Sequence, residues 1–484
     1  MSDNNAVIAV DLDGTLTLTD TLHESVVTMV RERPLLLFAL PFWLTGGRAV
    51  LKAKVADHVE LDVATLPYNQ PLIDWLKEER ASGKRIVLCS ATNEHVAQAV
   101  ADHLSLFDDV IASDATTNVK SANKRTALEQ QFGEKGYDYA GNSSADIDVW
   151  AGARQAIVVN ASRAVHDKAT QVATVSQIFP AKEITLRDWG RAFRVHQWLK
   201  NVLLFVPLLA AHQIGNIQSL STLILAFISF SLCASAVYMT NDLLDLESDR
   251  RHPRKRNRPF AAATLPIAAG AVIAPLFAIT SLALGALVGS AFLAWLIVYF
   301  GLTTAYSLAL KRIALVDCLT LAALYTLRII AGAAAVSVIL SFWLLAFSVF
   351  IFLSLAFVKR YAELQVQAQA GNGHAHGRGY AVSDAPLVQT LGIAAGYSAV
   401  LVLALYLHSE TVTALYAQPV LIWFAVPLLL FWISWVWLKA HRGEMHDDPI
   451  VFAIKDKASL VVAGLTAAAF VIATKGIGFT GIGS

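Results

Sequence analysis

The hydrophobic pattern divides the chain into two parts. Residues 1–185 carry many charged positions, whereas the remainder is dominated by apolar runs long enough to cross a bilayer. We predict nine membrane helices, at roughly 198–214, 219–240, 264–285, 287–306, 314–336, 340–358, 386–407, 417–438 and 457–475. The second part is therefore expected to be an all-α membrane bundle.

The polar connections between these runs alternate in charge. Four are rich in Lys and Arg: 241–262, 307–313, 359–385 and 439–456. Three lack both residues: 215–218, 337–339 and 408–416. The positive-inside rule places the basic connections and the first part of the chain in the cytoplasm, with the C-terminus on the opposite side. We expect a multi-pass protein of a bacterial-type inner membrane.

Composition narrows the protein class further. The 484 residues are 56% hydrophobic and only 15% charged, which is too apolar for a soluble globular protein. A net charge of +1 gives no indication of a nucleic-acid partner. The three cysteines are scattered, so neither a disulfide framework nor a zinc site is expected. The first residues, MSDNNAVIAVDLDGT, lack the basic start of a signal peptide.

An acidic motif follows the second predicted span. In NDLLDLESDRRHPRKRNR (241–258), polar oxygens recur at spacings of three and four, at Asn241, Asp242, Asp245 and Asp249. On a helix these side chains share one face, where a hard cation such as Mg²⁺ would offset their repulsion. A basic cluster follows directly: Arg250, Arg251, Arg254, Lys255, Arg256 and Arg258. This pairing suits a diphosphate substrate; a solvated loop with helix-capping acids is the alternative.

Other polar residues lie in or beside the predicted spans. Asp317 and Arg328 are three helical turns apart inside one span, where ionisable groups are costly and usually functional or paired. A structural ion pair with a neighbouring helix is the alternative for them. Tyr306 and Lys311 precede Asp317 in the same group. Further cytoplasmic candidates, which together would form a ring of phosphate-binding side chains around the acidic motif, are Arg194, Gln197, Trp198, Lys200, Asn201, Lys359, Arg360 and Glu363. For each of these alone, a snorkelling or interface anchor is the alternative. His374 and His376, in a glycine-containing loop, are weak metal candidates.

The membrane part resembles the UbiA superfamily of intramembrane prenyltransferases over about 190–475. The resemblance rests on NDxxDxxxD after the second of nine spans. Four segments resemble one branch of this superfamily, the decaprenyl-phosphate phosphoribosyltransferases. They are RVHQWLKN, NDLLDLESDRRHPRKRNRPFAA, Tyr306-x4-Lys311 and VKRYAEL. That branch moves phosphoribose from phosphoribosyl pyrophosphate (PRPP) to a polyprenyl phosphate.

The resemblance implies roles for these residues. Asn241, Asp242, Asp245 and Asp249 would hold Mg²⁺ on the PRPP diphosphate, which makes the three aspartates catalytic. Lys200, Arg256, Arg258, Lys311, Lys359 and Arg360 would contact phosphates, with Asn201, Tyr306, Asp317 and Arg328 also in the substrate site. One departure supports this branch: Asp317 is followed four residues later by Leu321, so the second DxxxD motif of ordinary members is incomplete.

The first part begins with an apolar strand that ends in two carboxylates. In AVIAVDLDGTLT (6–17), Asp11 and Asp13 follow the strand two residues apart, so both side chains point to the same side at its carboxyl end. Gly14 permits a sharp turn there. The segments RIVLCSATN, NVKSANKRTALEQQFG and YDYAGNSSADIDVW follow in order. Over roughly 6–165 this resembles the haloacid dehalogenase (HAD) superfamily, which implies a Rossmann-like α/β fold with a small helical cap.

The HAD resemblance implies a phosphatase mechanism. Asp11 would attack phosphorus, Asp13 would act as acid and base, and Ser90 with Lys124 (less favoured, Lys120) would hold the phosphoryl group. Mg²⁺ would lie on Asp11, the Asp13 carbonyl and Asp146, giving one Mg²⁺ in each domain. Asn142 stands where the pattern usually has aspartate, so metal affinity could be lower. A degenerate domain kept for folding or regulation is the alternative.

The domain boundaries follow from these assignments. We predict a HAD-like domain at 1–165 with its cap at about 20–80, a linker at 166–188 and the UbiA-like domain at 189–484. Within the cap, PLLLFALPFWL (34–44) is too short to span a bilayer. Its aromatic residues and flanking basic residues suit a membrane-surface helix; burial against the cap or core is the alternative.

Together the two parts predict a bifunctional enzyme. One domain would make 5-phosphoribosyl polyprenyl phosphate and the other would remove its 5-phosphate. Three competing functions stay open: a conventional prenyltransferase acting on an aromatic acceptor, a phosphatase tethered by an inactive bundle, and a non-enzymatic sensor. PRPP, a polyprenyl phosphate and the bilayer are the expected partners, and a homo-oligomer is compatible with all of these.

Overall fold

The computed structural model describes residues 7–113, 121–213, 215–371, 378–409, 412, 416–445 and 448–475. For Arg48, Ala49, Ile450 and Lys475 only the backbone is described. The chain forms two compact units. The first comprises Met1–Phe193 and Tyr238–Pro275, and the second comprises Arg194–Val237 and Leu276–Ser484. The segment that carries the acidic motif therefore belongs to the same unit as the HAD-like domain.

The first unit is built on a six-stranded parallel sheet. The strands are β1 Val7–Val10, β2 Arg85–Asn93, β3 Asp109–Ser113, β4 Tyr137–Gly141, β5 Gln155–Val159 and β6 Thr174–Phe179. Their order is β3-β2-β1-β4-β5-β6, so the sheet grows outward in both directions from β1. β1 and β4 are buried throughout, as expected for parallel strands covered on both faces. The carboxyl end of β1 is the switch point, where ligands bind in such sheets.

Helices cover both faces of this sheet. They are α1 Thr21–Glu32, α2 Leu40–Thr45, α3 Arg48–Ala56, α4 Gln70–Ala81, α5 Glu94–Leu104, α6 Ala122–Phe132, α7 Ile147–Gly152, α8 Arg163–Val172 and α9 Leu186–Ala192. Short 3-10 helices lie at Pro34–Ala39, Val63–Thr65 and Ser144–Asp146. The insertion from Thr21 to Thr65, between β1 and α4, is hereafter called the cap. The predicted Rossmann-like fold with a helical cap is confirmed.

The predicted boundary at residue 165 is too early. Helix α8 crosses it, and β6 lies in the segment assigned to a linker and pairs with β5 from Gln155↔Thr174 to Val159↔Phe179. β6 is an edge strand whose residues alternate between exposed and half-buried. That alternation is short and weakly apolar, which explains why the strand gave little signal in the sequence.

The long regular elements of the membrane part are all helices in the residues that the structure describes. After a 3-10 helix at Val195–Phe205 come α10 Val206–Ala210, α11 Ile217–Leu244, α12 Leu246–Arg251, α13 Ile267–Val288, α14 Ser290–Leu308, α15 Val316–Val336, α16 Phe342–Gln369, α17 Ala385–Leu407, α18 Ala425–His441, α19 Pro449–Lys455 and α20 Lys457–Lys475. Further 3-10 turns lie at Lys255–Asn257, Leu310–Arg312, Val382–Asp384 and Pro419–Phe424.

Eight of the described helices are long and apolar enough to cross a membrane, so the predicted count of nine needs correction. The predicted span at 198–214 is instead a shorter apolar helix, Val195–Ala210, most of it in 3-10 geometry. Its tight approach to α15 depends on Gly332, since a Cβ at that position would lie 2.0 Å from the Leu204 carbonyl oxygen. This packing lets Asn201, in the short helix, reach Arg328 of α15.

Two candidate active sites

Lys124 lies at the centre of the first site. Its ammonium nitrogen, in the first turn of α6, donates hydrogen bonds to Asp11 Oδ1 at 2.7 Å and to the Tyr139 hydroxyl at 2.8 Å. Asp146 Oδ1 lies 3.8 Å from the same nitrogen. The four side chains are buried, so the lysine offsets two carboxylates away from water. The structure thus brings together three of the residues predicted from sequence, and adds Tyr139.

Asp13 is held beside Asp11 by residues of the cap and of β2. Its Oδ1 accepts a hydrogen bond from the Thr21 backbone N–H at 2.8 Å, and its Oδ2 accepts one from the Thr92 hydroxyl at 2.6 Å. The Thr92 N–H in turn donates to Ser90 Oγ at 3.1 Å. Ser90 is fully buried at the end of β2. These contacts fix the orientation of the predicted acid–base carboxyl.

Asn142 and Asp146 occupy the loop after β4. Asp146 Oδ2 accepts hydrogen bonds from the Asn142 N–H at 3.1 Å and the Ser143 N–H at 2.9 Å, and its Oδ1 accepts one from the Tyr139 hydroxyl. Asn142 packs directly on Gly14, where a Cβ would lie 2.0 Å from the amide nitrogen. Gly14 also has φ +76, so both space and backbone geometry favour glycine there.

Burial controls the charge of these carboxyls. It raises the pKa of Asp11 to about 7, with Lys124 opposing the rise and Asp146 and Asp13 adding to it. Burial also raises the pKa of Asp13, and Asp20 adds to that rise. Three crowded carboxyls against a single lysine leave excess negative charge. The donor set therefore fits a hard cation bound with the help of carbonyl, water or phosphate oxygens.

The acidic motif forms the second site, at the end of α11 and in α12. Arg258 Nη1 donates to Asp242 Oδ1 at 2.9 Å and to Asp249 Oδ2 at 2.6 Å. Asn241 Nδ2 donates to Asp245 Oδ2 at 2.9 Å. The expected four-oxygen cage is thus replaced by two separate pairs. The pairs follow the helical spacing, since Asn241 and Asp245 are one turn apart and Asp242 and Asp249 are two turns apart, and i→i−4 backbone hydrogen bonds continue across Asp245.

One oxygen of this motif lacks a hydrogen bond. Asp249 is fully buried, and its Oδ1 has no hydrogen-bond partner among the described residues; the Lys255 ammonium lies 3.8 Å away. Burial raises the pKa of Asp249, against the opposing effect of Arg258. A buried carboxylate oxygen without a donor is costly unless a cation occupies the position. Asp249 and Asp242 are therefore suited to bind Mg²⁺ together.

Metal-ligand clusters are otherwise lacking in the described ranges. No group of three or more His, Cys, Asp or Glu side chains lies close enough there to hold a metal by itself. His374, His376 and Lys120 lie outside the described residues. Arg256 is exposed and Lys311 is half-buried in the turn Leu310–Arg312. Any Mg²⁺ in either site therefore needs ligands from substrate or water as well.

Asp317 and Arg328 have different partners, in the second unit. Asp317 pairs with Arg360 of α16 and accepts a hydrogen bond from the Tyr380 hydroxyl at 2.8 Å. Arg328 donates to Asn201 Oδ1 at 2.9 Å and to the Tyr299 hydroxyl at 3.0 Å. Both side chains are buried. Asp317 forms an ion pair with a neighbouring helix, as in the alternative interpretation of this residue as structural. No ion pair joins Asp317 to Arg328 within the described ranges.

Asp448 is a functional candidate that the sequence analysis missed. It lies 2.6 Å from the Lys200 ammonium, 3.6 Å from the Lys359 ammonium and 3.3 Å from the Tyr325 hydroxyl. Two predicted phosphate ligands therefore converge on one carboxylate. Nearby in the same unit, Arg378 donates to the Tyr306 hydroxyl at 2.8 Å. The only sequence signal for Asp448 was an acidic pair in a basic connection.

Comparisons with known proteins decide the family. A model described as the UbiA prenyltransferase family matches residues 202–460, more than half of the chain. The chain belongs to the UbiA prenyltransferase family. A model described as haloacid dehalogenase-like hydrolase matches residues 8–149. The protein is therefore a multi-pass UbiA-family membrane protein fused to an N-terminal HAD hydrolase domain.

Individual relatives of this UbiA-family chain differ in how much of its length they match. The uncharacterized protein y4nM of Sinorhizobium fredii is 36% identical over 97% of this chain and 92% of its own length. Decaprenyl-phosphate phosphoribosyltransferase of Mycobacterium tuberculosis is 39% identical over 36% of this chain and 60% of its own length. A UbiA homologue of Archaeoglobus fulgidus, solved with GPP and Mg²⁺, is 15% identical over 59% of this chain and 99% of its own, with a TM-score of 0.44.

Proposed function

We propose that the UbiA-family domain transfers 5-phosphoribose from PRPP to a polyprenyl phosphate, and that the HAD domain removes the 5-phosphate of the product. The observation that carries the first half is the pairing of Arg258 with Asp242 and Asp249 at the end of a membrane-length helix. This arrangement combines a guanidinium group that can bind phosphate with two carboxylates that can bind a metal ion. The partial similarity to decaprenyl-phosphate phosphoribosyltransferase supports the same substrates.

The transfer step needs positioning more than a protein nucleophile. The bond from ribose C1 to the diphosphate oxygen breaks, and a bond from C1 to a lipid phosphate oxygen forms. Asp242 and Asp249 would hold Mg²⁺, which neutralises charge on the departing pyrophosphate. Arg258 would exchange one of its carboxylate contacts for a diphosphate oxygen, since guanidinium groups bind both kinds of anion. The carboxylate released by Arg258 would then be available to the metal ion.

The second acidic motif, at Asp317 and Leu321, favours a polyprenyl monophosphate as the nucleophile over a prenyl diphosphate as the donor. Prenyl diphosphates would require further metal ligands, but Leu321 replaces the second acid of the DxxxD motif. Asp317 is already bonded to Arg360 and to Tyr380. Both carboxylate oxygens of Asp317 are engaged in this way, whereas Asp249 Oδ1 has no hydrogen-bond partner among the described residues, so Asp317 is the less suitable metal ligand. Lys200 and Lys359, which converge on Asp448, are suited to a phosphate instead.

The phosphatase step uses the first site. Asp11 attacks phosphorus and forms an aspartyl phosphate as the ester P–O bond breaks. Asp13, held by Thr21 and Thr92, protonates the leaving oxygen and then takes a proton from water, which releases inorganic phosphate. Lys124 and Ser90 hold the phosphoryl oxygens. Asp11, Asp146 and the Asp13 carbonyl would hold Mg²⁺, which would offset charge on the transferring group.

Direct transfer of label tests the first half of the proposal. Purified full-length protein would be incubated with Mg²⁺, a polyprenyl phosphate and PRPP labelled in the ribose. Label extracted into the organic phase, and lost in Asp249→Asn, is the expected result. If no label enters lipid with any chain length, and a prenyl diphosphate with an aromatic acceptor gives product, the conventional prenyltransferase replaces this proposal.

A further inference from the structure

The catalytic carboxylates of the HAD domain open into a large cavity with an apolar wall. The cavity has a volume of about 1270 Å³ and contains Asp11, Asp13, Lys124 and Asp146. Pockets for drug-sized ligands are typically ~300–1,000 Å³, so this space exceeds what a sugar phosphate needs. Side chains of the cap also line it: Leu22, Val26, Leu37, Leu40, Leu44 and Leu51. A site for a small polar ester would gain nothing from such a wall.

Another wall comes from residues next to a membrane helix. Leu265 and Ile267 line the same cavity, and Ile267 is the first residue of α13, which is long and apolar enough to span a bilayer. The cap is also tied to the segment that follows α11. Arg250 of α12 donates two hydrogen bonds to the Glu24 carboxylate of α1, at 2.5 and 3.1 Å. The cavity therefore borders the start of one membrane-length helix, α13, and its cap is bonded to the segment that follows another, α11.

The outer face of the cap is apolar as well. Within the described structure, the run from Pro34 to Thr45 buries none of its residues, and Leu35, Phe38 and Phe42 are 80%, 73% and 75% exposed. This contradicts the alternative in which the segment is buried against the cap or core. An exposed apolar run next to the ends of membrane helices is suited to the lipid–water interface.

We propose that the HAD site hydrolyses phosphate monoesters that carry a long apolar chain, taken from the bilayer with the chain along the cap wall. The inference rests on the proposed phosphatase activity and adds its substrate class. Water supplies the oxygen, the P–O bond to the ester oxygen breaks, and the products are inorganic phosphate and a lipid bearing a free hydroxyl. The phosphate end would lie at Lys124, and the apolar end at Leu37 and Leu44.

A series of n-alkyl phosphates from butyl to dodecyl tests this with full-length protein in detergent, with phosphate release as the readout. Because each buried methylene contributes up to about 0.8 kcal/mol, we expect kcat/KM to rise at least ~10-fold along the series. Leu37→Asn and Leu44→Asn should flatten that rise while butyl phosphate is still hydrolysed. Leu35→Asn and Phe38→Asn are matched controls in the same segment, since neither residue lines the cavity.

Each outcome has a distinct meaning. A flat chain-length profile in the wild-type protein, with hydrolysis of all esters, would overturn the lipid-substrate inference and leave the phosphatase proposal standing. Hydrolysis of no ester, with Asp11→Asn equal to wild type, would remove the phosphatase proposal and this inference together. Equal flattening by the control variants would mean that the chain contacts the outer face of the cap and not the cavity wall, which also contradicts the inference.

Discussion

Arg258 bridges Asp242 and Asp249 through a single guanidinium nitrogen, Nη1, at 2.9 and 2.6 Å. Both carboxylates are buried, and the arginine side chain remains one quarter exposed. The cation that partly offsets the two carboxylates is therefore part of the chain and can reach solvent. One guanidinium against two carboxylates leaves net negative charge, which a metal ion entering with the proposed diphosphate would offset. The same arrangement explains how two buried aspartates are tolerated next to a membrane helix.

Asp249→Asn should reduce phosphoribosyl transfer by at least roughly 10–100-fold, since even loss of a group that only orients a metal ligand costs about that factor. The measurement is label from PRPP recovered in lipid at a fixed Mg²⁺ concentration. Ser248→Ala, one residue away and exposed, is the matched control and should behave like wild type. Transfer by Asp249→Asn within threefold of wild type would show that Asp249 is not a metal ligand.

Asp448→Ala should raise KM about tenfold with a smaller change in kcat, because Lys200 and Lys359 lose the carboxylate that positions them. Steady-state transfer kinetics at varied polyprenyl phosphate and PRPP would identify which substrate is affected. Asp448→Glu should restore part of the affinity. Glu444→Gln, which alters an exposed pair with Lys439, serves as control. An unchanged KM in Asp448→Ala would show that Asp448 does not position the two lysines, and a lower KM would mean that Asp448 competes with substrate phosphate.

Much of this arrangement was predictable from local sequence. Asp11, Asp13 and Gly14 follow one strand directly, and parallel strands bring Ser90 and Asn142 to the same edge, so their proximity was predictable from chain order. The two-part organisation followed from hydropathy alone. By contrast, Tyr139 was not predicted as a site residue, because its hydroxyl contact with Lys124 depends on how α6 packs.

Contacts between distant segments were not predictable. Arg258 was one of six basic residues, and nothing local distinguished it as the partner of Asp242 and Asp249. Asp448 lies 248 residues from Lys200, so its role depends on helix packing. The nine-span prediction was wrong at 198–214 because hydropathy alone does not distinguish a membrane span from a shorter apolar helix.

Hydrolysis by the HAD domain at low Mg²⁺ should rise as pH increases through about 7. Burial raises the pKa of Asp11 to about 7, and a protonated carboxyl cannot attack phosphorus, so activity is lost below that pH. Saturating Mg²⁺ should move the midpoint to lower pH because the cation favours the ionised form. Rates of alkyl phosphate hydrolysis from pH 5.5 to 8.5 check this. A profile that is flat at low Mg²⁺ would contradict the predicted role of Asp11.

Glu24→Ala should destabilise the full chain by about 3–5 kcal/mol, because the buried Arg250 guanidinium loses its paired carboxylate. Guanidinium unfolding in detergent measures the change. Asp57→Ala breaks an exposed pair with Lys54 and should alter stability by less than about 1 kcal/mol. The double variant Glu24→Met with Arg250→Met should recover part of the loss. Equal stability of Glu24→Ala and wild type would show that the pair does not hold the cap to α12.

The product made from labelled PRPP by wild-type protein and by Asp11→Asn tests the central claim most directly. Lipids would be extracted after incubation with a polyprenyl phosphate and Mg²⁺, and then separated by the number of phosphate groups. We expect phosphoribosyl transfer at equal rates in both proteins, with the 5-phosphorylated lipid accumulating only in Asp11→Asn. Equal amounts of that lipid in the two proteins would contradict the coupling of transferase and phosphatase in one chain.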